Sequence, residues 1–169
     1  MFAVRRIRAD EGQRLRSIRL AALADSPGDA TTTVARTAAR SDDHWSEAAA
    51  ANSSGGLQAT FFATPDAPAS EDSDPIGLLG AYANESGIVN LVGLWSAPGY
   101  RDIGVATALL DAVADWARSI GADRLRLWVV ERNEFARAFY LGEGFEPTGA
   151  TIPYELDPRI KQVAMVRRV

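Results

Sequence analysis

A short run of small and charged residues lies between a hydrophobic segment and an amphipathic one. The run is Arg101, Asp102, Ile103, Gly104, Val105, Ala106 and Thr107. The segment before it, 88–95, predicts a strand, and 104–120 predicts a helix with its apolar residues on one face. A strand-to-helix junction of this kind can bind an anion. The first N–H groups of a helix have no partner within the helix, and the helix dipole adds partial positive charge at that end.

The residue types at this junction suit a diphosphate. Gly104 and Ala106 lack the bulk that would keep a phosphate away, and Arg101 adds a full positive charge. A P-loop is excluded because no Gly-Lys-Ser/Thr sequence occurs and Lys161 is the only lysine. A dinucleotide-binding turn needs three spaced glycines and an acid on the next strand, whereas the next predicted strand, 124–131, is basic and apolar until its end. The run therefore predicts a diphosphate cradle of another kind.

A second segment, 133–145, follows the next predicted strand. Together the two segments resemble the GNAT superfamily of acyl-CoA-dependent N-acetyltransferases. The first signature of that family is Arg/Gln-x-x-Gly-x-Gly/Ala, usually preceded by Pro-x-Tyr, and it is matched by Pro98, Tyr100, Arg101, Gly104 and Ala106. The second is Asn, three residues, an aromatic-Tyr pair and Gly-Phe, and it is matched by Asn133, Ala136, Phe139, Tyr140, Gly144 and Phe145. The match covers 88–149 well and the N-terminal third loosely.

The pattern of apolar residues predicts one α/β domain over residues 1–169. Strands are expected at 2–8, 57–63, 76–83, 88–95, 124–130, 145–151 and 162–168, and helices at 10–24, 41–51, 104–120 and 134–141. Residues 31–39 are ambiguous, and 64–75 read as an exposed loop. We expect Asp10 to cap the first helix, 26–29 to end it, and Gly121 and Gly142 to end the last two. The resemblance implies a mixed, mostly antiparallel central sheet with helices on both faces. Its two middle strands splay apart and hold acyl-CoA between them.

The resemblance also implies roles for individual residues. The backbone of Trp95 and Ser96, at a bulge in the central strand, would contact the pantetheine and aim one N–H at the thioester oxygen. Tyr140 is the catalytic candidate, a phenol that protonates the departing thiolate, while Phe139 packs in the core. Asn133 would contact the cofactor or cap a helix. The predicted cofactor-binding residues are Trp95, Ser96, Arg101, Asp102, Ile103, Gly104, Val105, Ala106, Thr107, Asn133, Phe139 and Tyr140.

The general base is not identified by the sequence. Similar enzymes often carry a glutamate on the central strand, and this strand has Asn90 instead. Glu85 comes just before that strand and Glu131 ends the next one. His44, the only histidine, lies in a predicted surface helix beside a tryptophan, where solvation is the more common role. None of the three is favoured.

Composition limits the class of protein. The chain has 169 residues, of which 47% are hydrophobic and 24% charged, as expected for one soluble domain. No apolar run is long enough to cross a bilayer, and the start lacks the apolar block of a signal peptide, so we expect a cytoplasmic protein. With no cysteine, disulfides and thiolate metal sites are excluded, and no metal site is predicted. A net charge of −4 disfavours nucleic acid as a partner.

The family resemblance implies an N-acetyltransferase that uses acetyl-CoA as co-substrate. The acetyl group would pass directly to an amine in a ternary complex, because without cysteine a thiol-based acyl-enzyme cannot form. The alternative is a catalytically silent acyl-CoA-binding module with a sensing or scaffold role. Residues 19–51 resemble the acceptor side of small GNAT enzymes, but they do not choose among a small-molecule amine, a protein N-terminus and a lysine side chain. A homodimer is left open.

Overall fold

The computed structural model describes residues 1–26, 32–66 and 73–169, and seven strands in this part of the chain form one sheet. The strands are β1 (Phe2–Arg6), β2 (Gln58–Pro65), β3 (Gly77–Glu85), β4 (Ile88–Ser96), β5 (Arg124–Val130), β6 (Glu146–Tyr154) and β7 (Asp157–Arg168). The helices are α1 (Gly12–Asp25), α2 (Val34–Ala38), α3 (Asp42–Ser53), α4 (Val105–Ser119) and α5 (Glu134–Gly142). Most of the segment expected to end the first helix, and half of the expected 64–75 loop, lie outside the described residues.

The two middle strands of the sheet separate, as the family resemblance implies. The strand order is β1-β2-β3-β4-β5-β7-β6, and every neighbouring pair is antiparallel except β4 and β5. The parallel pairing of β4 and β5 joins only 88–90 to 124–126. Beyond Asn90 and Arg126 the pairing stops, while β5 stays paired to β7 as far as Val130. The remainder of β4 therefore has one edge open toward a gap in the sheet.

Helices cover both faces of the sheet, which confirms the predicted layering. Successive side chains of a strand point to opposite faces, so Phe61 and Phe62 belong to different apolar clusters, as do Leu79 and Leu78. The larger cluster packs α4 against β2–β5. The smaller one packs α1 and α3 against the other face through Leu15, Ile18, Trp45 and Ala49. The gap between β4 and β5 can therefore be approached from two sides: from the face of the sheet that carries α1, called the α1 face, and from the face that carries α4, called the α4 face.

A glycine fixes how closely α4 lies on the sheet. A Cβ atom at Gly77 would be 2.6 Å from Cγ1 of Val105 and 3.0 Å from Cδ1 of Leu109. Val105 and Leu109 are fully buried, so neither could move aside without opening the core. The missing side chain at Gly77 lets the first turn of α4 pack directly on β3. This contact sets the position of the junction that the sequence singles out.

Two local predictions are wrong, and one ambiguous segment is now assigned. Asp10 does not cap α1, whose N-cap is Glu11 without a side-chain capping bond. Gly142 does not break α5, because it is still helical as the last residue of the helix. The left-handed residue that turns the chain away is Gly144, with φ of 89°. The two glycines are two residues apart, and only the φ angle shows which one breaks the helix. A short helix, α2, also occurs in the ambiguous segment, capped by the Thr33 hydroxyl.

A buried carboxylate attaches the start of α1 to β1. Glu11 is 7% exposed and accepts hydrogen bonds from Arg5, at 2.6 and 2.9 Å, and from Arg14, at 2.9 Å. The backbone N–H of Arg8 donates to it at 2.8 Å. Burial raises the pKa of Glu11, but the hydrogen bonds and the charges of Arg5 and Arg14 outweigh it and lower the pKa to about 2. This cluster orients α1, which contributes side chains to the site described below.

We expect Glu11→Gln to lower the free energy of unfolding at pH 7 by about 3 kcal/mol, since one pKa unit corresponds to about 1.4 kcal/mol. The folded pKa lies below the usual 4.5, so this stabilisation is full above pH 4.5 and is lost between pH 4.5 and pH 2. Urea unfolding of both proteins should therefore give a difference that shrinks as the pH falls from 5 toward 2. Asp10→Asn, which removes an exposed charge next to Glu11, is the control. An equal loss in both variants would contradict this account.

Candidate functional site

The predicted cradle forms an exposed turn between β4 and α4. The backbone N–H of Tyr100 donates to the Ala97 carbonyl, and Arg101–Ile103 make a single 3₁₀ turn. Gly104 then adopts φ of 89° and ψ of 14°, a left-handed conformation that favours glycine, and α4 begins at Val105. Arg101 to Gly104 are exposed, whereas Val105 is fully buried. The exposed turn is therefore held in place by the buried residue that follows it.

The start of α4 has the free donors that an anion needs. Its N-cap, Gly104, provides no side-chain oxygen, so no side chain caps the first N–H groups. A Cβ atom built on Gly104 would meet no protein atom within 4 Å, so the space beside the turn is open. The Thr107 hydroxyl donates to Oε1 of Glu143 at 2.7 Å, which leaves its backbone N–H for a ligand and links α4 to the end of α5. These features fit the diphosphate of an acyl-CoA.

Arg101 has a partner within the protein that the sequence did not predict. Its guanidinium forms an ion pair with Asp25, the last residue of α1, and its Nε donates to the Ser96 carbonyl at 3.1 Å. Trp95 Nε1 also donates to Asp25, at 2.9 Å. The Trp95 hydrogen bond, followed by those of Arg101, lowers the pKa of Asp25, which keeps this carboxylate charged. Asp25 thus holds Arg101 beside the cradle, and its charge partly offsets that of the arginine.

Ile103 tests whether the cradle acts through its backbone. Its side chain is 51% exposed and lies in the 3₁₀ turn. We expect Ile103→Ala to bind acetyl-CoA within about threefold of the wild type, because exposed side chains away from special features contribute within about 0.5 kcal/mol. Isothermal titration calorimetry on both proteins measures this. A loss of binding in a folded Ile103→Ala protein would mean that the side chain itself contacts the cofactor.

The open edge of β4 carries a bulge just before the two residues expected to contact pantetheine. Leu78 pairs with Trp95, and Gly80 pairs with Val92. Between these two pairs β4 has two residues, Gly93 and Leu94, whereas β3 has only one. Gly93 has φ of 69°. Trp95 and Ser96 themselves are regularly paired to β3, and their other edge faces the gap. The bulge expected at Trp95 and Ser96 therefore lies at Gly93 and Leu94 and turns the strand immediately ahead of them.

Tyr140 lies in α5 on the α4 face of the sheet. Its ring is half-buried and makes edge-to-face contacts with Phe139 and Phe145, with centroids 5.3 and 5.6 Å apart. Phe139 is equally half-buried, and both rings pack against the larger cluster. Burial raises the pKa of Tyr140 to about 12, so the phenol is protonated at neutral pH. Within the described residues its hydroxyl has no hydrogen-bond partner, and Asn133 Oδ1 caps the helix by accepting from the Ala136 N–H at 3.0 Å.

The candidate bases lie in three separate surroundings. Asn90 is buried, donates to Asn84 and accepts from Arg126 Nε at 2.8 Å. Arg126 also donates to Glu85 at 2.7 Å, so Glu85 is held in an ion pair at the closed end of the gap. No hydrogen bond or ion pair between described residues joins Glu85 or the other two candidates to Tyr140.

The other two candidates lie on different elements. Glu131 lines a cavity of about 450 Å³ between α5 and strands β6 and β7, together with Arg132 and Arg137. His44, in the first turn of α3, makes an edge-to-face contact with Trp45 at 5.1 Å. Within the part of the chain that the structure describes, no cluster of His, Asp and Glu could hold a metal ion. No helix in the same residues is long and apolar enough to span a membrane.

Comparison with known proteins gives a consistent result. The model of the acetyltransferase (GNAT) family matches residues 29–145. No curated protein matches the chain significantly in sequence.

Several solved structures share the fold. An acetyltransferase of the GNAT family from Streptococcus pneumoniae superposes with a TM-score of 0.74 at 19% identity, over 100% of both chains. The ribosomal-protein-S18-alanine N-acetyltransferase from Escherichia coli superposes with a TM-score of 0.67 at 16% identity, over 100% of this chain and 94% of that one. Nourseothricin acetyltransferase gives 0.57 at 25% identity, over 66% of this chain and 65% of that one.

Proposed function

Because the chain belongs to the acetyltransferase (GNAT) family, we propose that it transfers the acetyl group of acetyl-CoA to an amine by direct attack in a ternary complex. The observation that carries this proposal is the junction at Gly104. It combines uncapped helix N–H groups, open space and a fixed backbone, directly after a strand whose edge is open to a gap. The diphosphate would bind at Arg101–Thr107, and the pantetheine would follow β4 past Ser96 and Trp95 into the gap.

The reaction balances without a covalent enzyme intermediate. The amine nitrogen attacks the thioester carbon, a C–N bond forms, the C–S bond breaks, and the thiolate of CoA leaves. The nitrogen loses one proton and the sulfur gains one. Because the chain has no cysteine, no enzyme thiol can carry the acetyl group between the two substrates. A backbone N–H on the open edge of β4 would stabilise the negative charge that develops on the carbonyl oxygen.

Tyr140 is proposed as the proton donor to the departing sulfur. Its phenol is protonated at neutral pH, lacks a partner among the described residues and belongs to α5, on the α4 face of the sheet. A thiol has an ordinary pKa of about 8.5, so full transfer from a phenol with a pKa of about 12 is uphill. The phenol therefore donates its proton to the sulfur while the C–S bond is still breaking. It is then reprotonated by the proton that the amine releases.

A second candidate function follows from Asn90. In the position where similar enzymes carry an acid, this chain has an amide that is buried and already bonded to Asn84 and Arg126. A protein that binds acyl-CoA without turning it over would keep the cradle and need no base. Two of the neighbours are named for their acceptors, a ribosomal-protein S18 alanine and nourseothricin, so both protein and small-molecule amines are acceptor classes to test.

Initial-velocity kinetics test the mechanism. The release of CoA thiol is followed while acetyl-CoA and an amine are varied together, with amines drawn from polyamines, amino acids, aminoglycosides and peptides. Direct transfer predicts double-reciprocal lines that intersect, and acetyl-CoA alone should leave the mass of the protein unchanged. Parallel lines with a 42 Da gain in protein mass, about that of one acetyl group, would indicate an acyl-enzyme. Tight acetyl-CoA binding without turnover of any amine would favour the silent module.

A further inference from the structure

An arginine of α1 lies against the bulge of β4 with no partner among the described residues. A Cβ atom built on Gly93 would lie 1.8 Å from Nη1 of Arg19 and 2.9 Å from its Cζ. The guanidinium thus occupies the place where any other residue of β4 would put a side chain. Gly93, with φ of 69°, is the residue that allows so close an approach. Arg19 follows the buried Leu15 by four residues, so it lies on the sheet-facing side of α1.

Arg19 differs from two other arginines of the same helix, which have acceptors within the described part of the chain. Arg14 is paired with Glu11 at 2.9 Å, and Arg16 donates to the Ala38 carbonyl at 3.4 Å. Among the described residues, nothing accepts a hydrogen bond from Arg19 or forms an ion pair with it. Its side chain is half-buried, and burial alone lowers its pKa. A cation held in this way has lost part of its hydration without gaining an anion, which is costly unless a ligand supplies one.

The place of Arg19 along the gap separates it from the diphosphate cradle. Arg19 precedes Asp25, the residue that holds Arg101, by six positions, or about 9 Å along a helix. Gly93 precedes Ser96, which also bonds Arg101, by three positions, or about 10 Å along a strand. Gly93 also lies three residues beyond Asn90, where the pairing of β4 with β5 stops. Arg19 therefore lies on the α1 face beside the open part of β4, between the closed end of the gap and the cradle.

Arg19 and Tyr140 approach the gap from opposite faces of the sheet. Arg19 belongs to α1, which packs with the smaller cluster, and Tyr140 packs against the larger one. If the phenol serves the sulfur from the α4 face, the amine has the α1 face open for its attack. We propose that Arg19 binds a carboxylate carried by the acceptor, which would make the substrate an amine with an acidic group, such as an amino acid. This inference rests on the function proposed above.

Matched amines test this assignment. Glycine, β-alanine, 4-aminobutyrate and the common L-amino acids are each compared with their carboxamides, which keep the amine and lose the negative charge. Binding to CoA-saturated protein is measured by calorimetry, and turnover with acetyl-CoA by thiol release. We expect at least one acid to bind, and to react in terms of kcat/KM, about 10–100-fold better than its amide, as for charged hydrogen bonds.

Three variants locate the effect. Arg19→Met keeps the length of the side chain without its charge and should reduce the acid to the level of its amide. The affinity for the amide and for acetyl-CoA should stay within about threefold of the wild type. Arg19→Lys should retain part of the preference, because an ammonium keeps the charge but not the fork of donors. Arg16→Met, on the same helix, is the control and should behave as the wild type.

The outcomes separate this inference from the proposed function. Carboxylate-selective binding that Arg19→Met abolishes, without turnover of any amine, would support the inference and contradict the function. Turnover of amines with no difference between acids and amides would support the function and contradict the inference. An Arg19→Met protein that loses affinity for acetyl-CoA would show that Arg19 binds the cofactor. A selective loss of affinity for succinyl-CoA would show that it serves a carboxylate on the acyl group, and either result would overturn the proposal.

Discussion

Replacing Gly104 by glutamate should lower the affinity for acetyl-CoA by about 100-fold or more. The carboxylate would enter the open space beside the turn, where it would repel the diphosphate and compete for the free N–H groups of α4. Hydrogen bonds to a charged group contribute about 1.5–3 kcal/mol each, so the loss of two gives about 10²–10⁴-fold. Calorimetric titration of acetyl-CoA into the variant and the wild type measures the effect.

Gly121 provides a matched control at the other end of the same helix. It also has a left-handed φ, 82° against 89°, and a Cβ atom there would also meet nothing within 4 Å. Gly121→Glu therefore adds the same charge and a similar backbone strain at the C-terminal end of α4, where no anion is expected to bind. It should bind acetyl-CoA as the wild type does. Equal affinities of the two variants would contradict a diphosphate site at Gly104.

Replacing Tyr140 by phenylalanine should lower kcat by about 10²–10⁴-fold, the usual effect of losing a general acid. The affinity for acetyl-CoA should change little, because the ring would keep its contacts with Phe139 and Phe145 and only the hydroxyl would be lost. Since that hydroxyl has no partner among the described residues, its removal should not destabilise the fold. Steady-state kinetics with an accepted amine, and calorimetry with acetyl-CoA, measure the two quantities separately.

Tyr154→Phe shows what the loss of a phenol costs elsewhere in the protein. Tyr154 is buried at the end of β6, outside the set of residues assigned to the cradle or the gap. Its variant should keep the kcat of the wild type. A kcat of Tyr140→Phe within about threefold of the wild type, well below the usual effect of an acid, would mean that water or another group serves the sulfur. Tyr140 would then be a packing residue only.

The fold was predicted where the sequence pattern is local. The amphipathic pattern of 104–120 gave α4 to within one residue at each end, and the apolar segment 124–130 gave β5 without error. The splayed strands and the helices on both faces followed from the family resemblance and are confirmed. The end of α5 was misplaced, because Gly142 and Gly144 are both chemically able to break a helix.

Long-range contacts at the site could not be predicted. Asp25 meets Trp95 and Arg101 across 70 and 76 positions of sequence, and the contact depends on how α1 crosses β4. The approach of Arg19 to Gly93 has the same origin, because neither residue lies in a recognisable motif. What a single sequence did offer was a glycine inside a strand, which often marks a bulge or a close approach. The cradle could be predicted because its donors come from seven consecutive residues.

The most direct test of the proposed activity is to follow the acetyl group itself. The protein is incubated with acetyl-CoA labelled with ¹³C in both acetyl carbons and with the amine that gives the fastest thiol release, and the products are identified by mass spectrometry. The account predicts an N-acetylated amine that carries both labelled carbons, formed in a one-to-one ratio with free CoA, and no labelled protein. Release of CoA together with labelled acetate and an unchanged amine would contradict it.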